Sequence, residues 1–171
     1  MYYFDNIICK GKYGFFGLLV TERVTSMSKE KEKIAISQLD ELHTDGAGYD
    51  VLRYLGLPEL LGQEADTLLY FMGRNIARKL ELHTVEDVSY CFEKLGWGNL
   101  ELVKQKKNQM TFQLMSDAVV YRLDSILNTE FRLEAGFLAE AIQLIKGTEC
   151  ECVEEINKRI YQVQFNVIYS K

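Results

Sequence analysis

The apolar positions of this chain change period several times, and each change marks an element. From Phe131 to Ile145 (FRLEAGFLAEAIQLI) they run nearly all the way round a helix. Phe131, Phe137, Leu138, Ala141, Ile142, Leu144 and Ile145 leave a narrow polar side of Arg132, Gly136, Glu140, Gln143 and Lys146. A helix with so little polar surface must be surrounded, so this one is expected to be the central element. Glu134 interrupts its apolar face near Leu138, Ala141 and Ile145. An ionised, unpaired carboxylate would be costly there. Two arrangements avoid that cost: a place in the first turn, complementing the helix N-terminus, or burial against a cation, with Arg53, Arg74 and Arg122 as candidates.

Upstream, the spacing predicts a helix from about Asp45–Gly48 to Leu55 that buries Tyr49, Leu52 and Leu55 and ends at Gly56. Pro58 suits the first turn of a short segment, Pro58–Leu61. A longer helix is predicted over Glu64–Leu80, with Ala65, Leu68, Leu69, Met72, Ile76 and Leu80 on one face. Its other side carries Tyr70, Phe71 and Arg74. That side is either covered by a second layer or forms a dimer or ligand surface. Thr84 caps a further helix whose stripe is Val88, Cys91, Phe92 and Leu95 and whose exit is Gly96.

The period then falls to two. Leu100 and Leu102, then Met110, Phe112 and Leu114, alternate with polar residues on either side of Lys104–Asn108, which predicts a hairpin. Ser116–Leu127 returns to a helical pattern. After Gly147, Thr148–Glu155 and the strand Tyr161–Tyr169 predict a second hairpin. The fold class expected is α+β: helices packed on one face of a twisted antiparallel sheet, two hairpins around a central buried helix.

Composition supports one globular domain: 171 residues, 47% hydrophobic, 26% charged. Residues 40–171 are expected to form it, with 1–39 a flexible extension. A net charge of −5 argues against non-specific nucleic-acid binding. The apolar run Tyr13–Val20 is far shorter than the ~20 residues that span a bilayer, so no stable membrane insertion is expected. It reads as a degenerate signal peptide, as an interfacial arm, or as sequence upstream of a true start at Met27; the soluble-looking MSKEKEKIAIS favours the last, which would leave residues 1–26 outside the native chain. With no convincing signal, a cytoplasmic protein with reduced thiols is expected.

Candidate chemistry is sparse. His43 and His83 belong to no metal-binding pattern, Gly46–Gly48 is no phosphate cradle, and no nucleophile elbow occurs. No cofactor is expected. Cys150 and Cys152 would share one strand face with Cα atoms ~6.5–7 Å apart, which is awkward for a disulfide. They are half of a tetrahedral zinc site at most; small residues on a β-face is the simpler reading. Cys91 reads as core.

The segments LPELLGQEADTLLYFMGRNIARKL, FEKLGWGNLELV and FRLEAGFLAEAIQL resemble the YslB-type family of uncharacterised proteins from Gram-positive bacteria, over roughly Asp40 to Tyr169. More distantly, the central helix, the Cys150/Cys152 strand and the last strand resemble the superfamily of 4-vinyl-reductase domains, TRAPP Golgi-transport subunits and haem-based nitric-oxide sensors. That likeness implies frequent dimerisation and an internal apolar pocket for acyl chains or other small hydrophobic ligands. The chain lacks a proximal histidine on a suitable helix, a cysteine at the acylated position, and at least half of the reductase-domain cysteine cluster. The expected function is a non-enzymatic binding or adaptor module, homodimeric, with Tyr70, Phe71, Arg74, Glu134, Gly136 and Phe137 lining a pocket or interface. The alternative is a metal-dependent sensor or enzyme using Glu134 with Cys150 and Cys152.

Overall fold

A computed structural model describes residue 37 and residues 46–170, all within one compact unit, Lys33–Lys171. The apolar run Tyr13–Val20, the start at Met27, Cys9 and His43 lie outside the described residues. The elements are α1 (Ala47–Val51), a π-helical turn (Leu52–Gly56), α2 (Leu57–Leu61), α3 (Ala65–Ala77), α4 (Val85–Lys94), β1 (Asn99–Lys106), β2 (Gln109–Met115), α5 (Asp117–Asp124), α6 (Arg132–Lys146), β3 (Cys150–Asn157) and β4 (Gln162–Tyr169).

The strands form one antiparallel sheet in the order β1-β2-β4-β3. Both hairpins of the sequence reading are there, and the register explains the alternation. Phe112 stands opposite Phe165, and Val167 opposite both Met110 and Cys152, so these residues share the buried face. On the other face Gln109, Thr111 and Gln164 all bond to the Asn166 amide oxygen, and Val153 and Ile168 are exposed. The first turn is tighter than expected, because Lys104 and Lys106 belong to β1 and only Lys107 and Asn108 connect the strands. A register shift between Leu102 and Lys104 bends β1 there.

The central helix is α6. Ten consecutive residues from Leu133 to Ile142 are buried. Beneath it Phe92, Trp97, Phe137 and Phe165 pack edge to face, with ring centroids 5.1–6.2 Å apart. α4 starts as predicted: the Thr84 side chain accepts from Asp87 N while Asp87 accepts from Thr84 N. Its exit uses Gly96 at φ +69°, a conformation that favours glycine.

Two helices depart from the periodicity. The first does not end at Gly56 but continues to Leu61, and its expected core residues Leu52 and Leu55 are exposed; Arg53 and Tyr54 are buried instead. In α3 the buried residues are Leu69, Tyr70, Gly73, Arg74 and Ala77. The helix is rotated from the predicted face, leaving Leu68 exposed and Met72 and Ile76 only half-buried. Gly73 is the reason. A Cβ there would stand 2.7 Å from Phe137 N and nearer still to Leu133 O. Only glycine lets α3 press this side against the α6 backbone.

Candidate functional site

The contact between α3 and α6 is reciprocal. A Cβ on Gly136 would lie 2.7 Å from the Tyr70 carbonyl carbon and closer to its oxygen. Gly136, a candidate for a pocket or interface, meets the backbone of Tyr70 of the same chain. It is therefore closed to a partner.

Two charge clusters flank this crossing. In the first, Arg53 donates Nε to Glu130 Oε1 (2.6 Å), Nη2 to Glu130 Oε2 (3.0 Å) and to Glu134 Oε2 (2.9 Å), and Nη1 to Tyr49 OH (3.1 Å). Tyr49 OH also accepts from Trp97 Nε1 (3.2 Å). Glu134 is thus both things the sequence allowed: it sits in the first turn of α6, fully buried, and its cation is Arg53. Glu134 Oε1 and Tyr54 OH have no hydrogen-bond partner. Burial pushes the Glu134 carboxyl upward; Arg53 opposes this but is shared with Glu130. Burial works against the Arg53 charge, yet Glu134 and Glu130 outweigh it and hold its pKa above the ordinary value. Burial, then the nearby Glu134, raises Tyr49 to about 12. Arg122 closes the same end, bonded to Asp50 and to the carbonyls of Gly96 and Trp97.

The second cluster ties α3 and α6 to the edge strand β3. Arg74 donates to Glu140 (2.8 Å), Glu151 (3.0 Å) and Gln143 (2.8 Å). Arg78 grips Glu140 with two bonds, 2.7 and 2.9 Å. Burial would raise the Glu140 carboxyl, but Arg78 and Arg74 prevail and hold it below the ordinary range. Tyr70 OH donates to Glu151 Oε2 (2.5 Å) and accepts Cys152 N–H (3.1 Å). Gln143 accepts Cys150 N–H (3.2 Å), and Arg74 reaches the Cys150 carbonyl (3.4 Å). β3 pairs with β4 on one side only, so these side chains satisfy backbone groups on its other side, where another strand could add.

Of the six expected site residues, five are in the interior: Tyr70, Arg74, Glu134, Gly136 and Phe137 are buried, and only Phe71 is exposed. Tyr70 and Arg74 are covered, but α3 is not sandwiched from both sides: they lie on its one buried face, and Leu68 and Phe71 are exposed. Phe137 belongs to the aromatic stack, not to a cavity wall. Two surface hollows, of about 300 and 390 Å³, lie at the β3–β4 turn and between α4 and β1; none of the six lines either. Cys91, Cys150 and Cys152 are free and buried. Burial raises Cys91 and Cys150 to about 11 and Cys152 well above its ordinary value. Among the described residues no group of three or more His, Cys, Asp or Glu is placed to hold a metal ion. The sequence reading passed over Glu130, Glu140 and Gln143. Glu140 stood on the supposed polar side of α6, and nothing in its spacing pointed to two arginines on α3.

The architecture defines the class: helices on one face of a four-stranded antiparallel sheet, around one buried helix. The chain belongs to the family described as protein of unknown function (DUF2507), whose model matches residues 46–168. It is 35% identical over 139 residues to the uncharacterized protein YslB of Bacillus subtilis, covering 81% of this chain and 94% of that protein. It is 21% identical over 112 residues to the uncharacterized protein MJ1642 of Methanocaldococcus jannaschii, covering 66% and 68%. Among solved structures, a vinyl-4-reductase family protein from Methanocaldococcus jannaschii superposes with TM-score 0.54 at 14% identity, covering 95% of this chain and all of that one. At that identity the likeness is one of fold. An H-NOX protein from K. algicida reaches a TM-score of 0.46 at 13% identity, covering 92% and 89%. No helix among the described residues is long and apolar enough to cross a membrane.

Proposed function

We propose that this chain is a non-enzymatic, cytoplasmic binding or adaptor module that works as a homodimer through its surface. One observation carries the reading. The buried charged side chains are engaged with one another: Arg53 with Glu130 and Glu134, and Arg74 with Glu140, which the exposed Arg78 also binds. Buried pairs of this kind fix geometry and do not present a reactive group. Free thiols with raised pKa values fit a reducing compartment.

The vinyl-4-reductase likeness raises the question of an internal ligand. A small hydrophobic or acyl ligand would have to enter beneath α6, where Phe92, Trp97, Phe137 and Phe165 already pack. That packing supports a partner bound outside over a ligand bound inside. Native mass spectrometry of the purified full chain tests the reading. A dimer mass with nothing bound is expected. A copurified lipid mass would replace it with a carrier, and stoichiometric zinc or iron with a metal-dependent sensor or enzyme.

A further inference from the structure

One guanidinium serves two carboxylates at the start of α6, and it does not serve them equally. Glu130 takes Arg53 with both oxygens, at 2.6 and 3.0 Å, and its Oε2 also accepts the Arg132 backbone N–H at 2.7 Å. Its side chain is 20% exposed, so water reaches it as well. Glu134 is 0% exposed and has a single bond to Arg53, at 2.9 Å, from the same Nη2 that Glu130 uses. Its Oε1 has no partner among the described residues.

The next cation is already engaged. Arg122, from α5, donates to Asp50 and to the carbonyls of Gly96 and Trp97. Asp50, Glu130 and Glu134 thus stand against Arg53 and Arg122, with one negative charge in excess when all three acids are ionised. An excess charge away from water is costly. The acid that can shed it at least loss is the one with an unpartnered oxygen: a proton on Glu134 Oε1 breaks no bond, because Arg53 keeps Oε2. Oε1 then becomes a donor. Tyr49 OH already accepts from Arg53 and Trp97. Tyr54 OH is buried without a partner, and burial, then the nearby Glu134, raises its pKa.

We propose that Glu134 is a buried proton-binding site that couples the seating of the helical run Ala47–Leu61 against α6 to pH. Tyr49, Asp50, Arg53 and Tyr54 come from the run, and Glu130 and Glu134 from the start of α6, so the cluster lies across the contact. With the proton on Glu134 the cluster is neutral and the run is seated. As pH rises Glu134 ionises, the excess negative charge builds between the two elements, and opening of the run relieves it by letting water reach both carboxylates. Burial raises the Glu134 carboxyl; Arg53 opposes, Glu130 adds to the rise, and the Glu134 backbone N–H and Arg122 oppose. A carboxyl raised on folding contributes fully below its unfolded value and loses that contribution as pH rises through the folded one. Arg53 and Tyr54 both belong to the π-helical turn, a conformation found mostly at functional sites. The device needs no second copy of the chain.

Two measurements on the full chain test this together. Carbon-13 NMR of the glutamate carboxyls, with Glu134 assigned by its loss in E134Q, follows the proton. Hydrogen exchange at each pH, corrected for the intrinsic rate, follows the run. Glu134 is expected to titrate in the folded chain above its ordinary 4.5. Protection of residues 47–61 is expected to fall about tenfold per pH unit between 4.5 and that midpoint, and to stay below that of α6 throughout, since the run opens by itself. In E134Q the fall is expected to vanish. E130Q leaves Arg53 to Glu134 alone and is expected to lower the Glu134 midpoint by about 1 pH unit, which a purely packing role for Glu130 would not do. Should E134Q fail to fold, the carboxyl that E130Q moves identifies Glu134. A Glu134 that titrates at or below 4.5, or that E130Q leaves unmoved, overturns the proton site. A run whose protection ignores that titration, or equals that of α6, overturns the coupling.

Discussion

Gly73 of α3 and Gly136 of α6 mark where the two helix backbones touch. Each faces a carbonyl of the other helix, Leu133 for Gly73 and Tyr70 for Gly136, at a distance that excludes a Cβ. Everything else at the crossing follows from this approach. Tyr70 and Arg74 can be buried beside α6 because no side chain holds the helices apart.

Gly136→Ala is therefore expected to be far more damaging than an ordinary Gly→Ala change in a helix, which would stabilise by ~1 kcal/mol through propensity. Overpacking against rigid backbone should cost about 3 kcal/mol or more. The midpoint of urea unfolding measures it; an unchanged midpoint would mean the helices do not meet as described.

The Arg53–Glu134 pair makes an asymmetric prediction. Burial raises the Glu134 pKa above its ordinary 4.5, with Arg53 opposing. A carboxyl raised on folding contributes its stability below the unfolded value and loses it as pH rises through the folded one. Wild type should therefore lose stability relative to E134Q as pH rises above about 4.5. E134Q should be neutral or stabilising at pH 8. Arg53→Met, which leaves Glu134 and Glu130 without their cation, should cost about 3–5 kcal/mol. Urea titrations of the three proteins across pH check both signs.

Glu140 should behave in the opposite sense. Arg78 and Arg74 overcome its burial and lower its pKa from 4.5. A carboxyl lowered on folding contributes above the unfolded value and loses that contribution as pH falls through the folded one. E140Q should be destabilised at pH 7 by about 3 kcal/mol, and the gap to wild type should narrow below about pH 4.5. A gap independent of pH would contradict the pairing.

The thiols give a chemical check. Cys91, Cys150 and Cys152 are buried and held protonated at neutral pH, and the thiolate is the nucleophile. Iodoacetamide at pH 8 should leave these three unlabelled in the native chain and label them in urea, as peptide mass spectrometry would record. Rapid native labelling of Cys150 or Cys152 would revive them as a reactive pair.

Much of the fold is local in origin and so could be read along the chain. Thr84 and Asp87 cap α4 from three residues apart, and the alternation Val163, Phe165, Val167 fixes the inner face of β4 by itself. The candidate site is not local. Tyr70 and Arg74 looked out of place on α3 because their partners, Glu140, Gln143 and Glu151, stand 66–81 residues away. Periodicity counts a buried arginine as a polar position, and it rotated α3 accordingly. Glu134 was identified as anomalous, but three arginines could have answered it; the one that does is Arg53, in the π-helical turn. The leucines of the same run were assigned to the core for the converse reason: periodicity counts an exposed leucine as an apolar position, and Leu52 and Leu55 are exposed.

The account rests most on a chain whose buried acidic and basic side chains are engaged with one another around α6. Hydrogen exchange of the full chain, followed by mass spectrometry at high dilution and at high concentration, tests this most directly. The amides of α6, from Leu133 to Ile142, are expected to be strongly protected, and equally so at both concentrations. Weak protection of α6, or protection that changes with concentration, would contradict it.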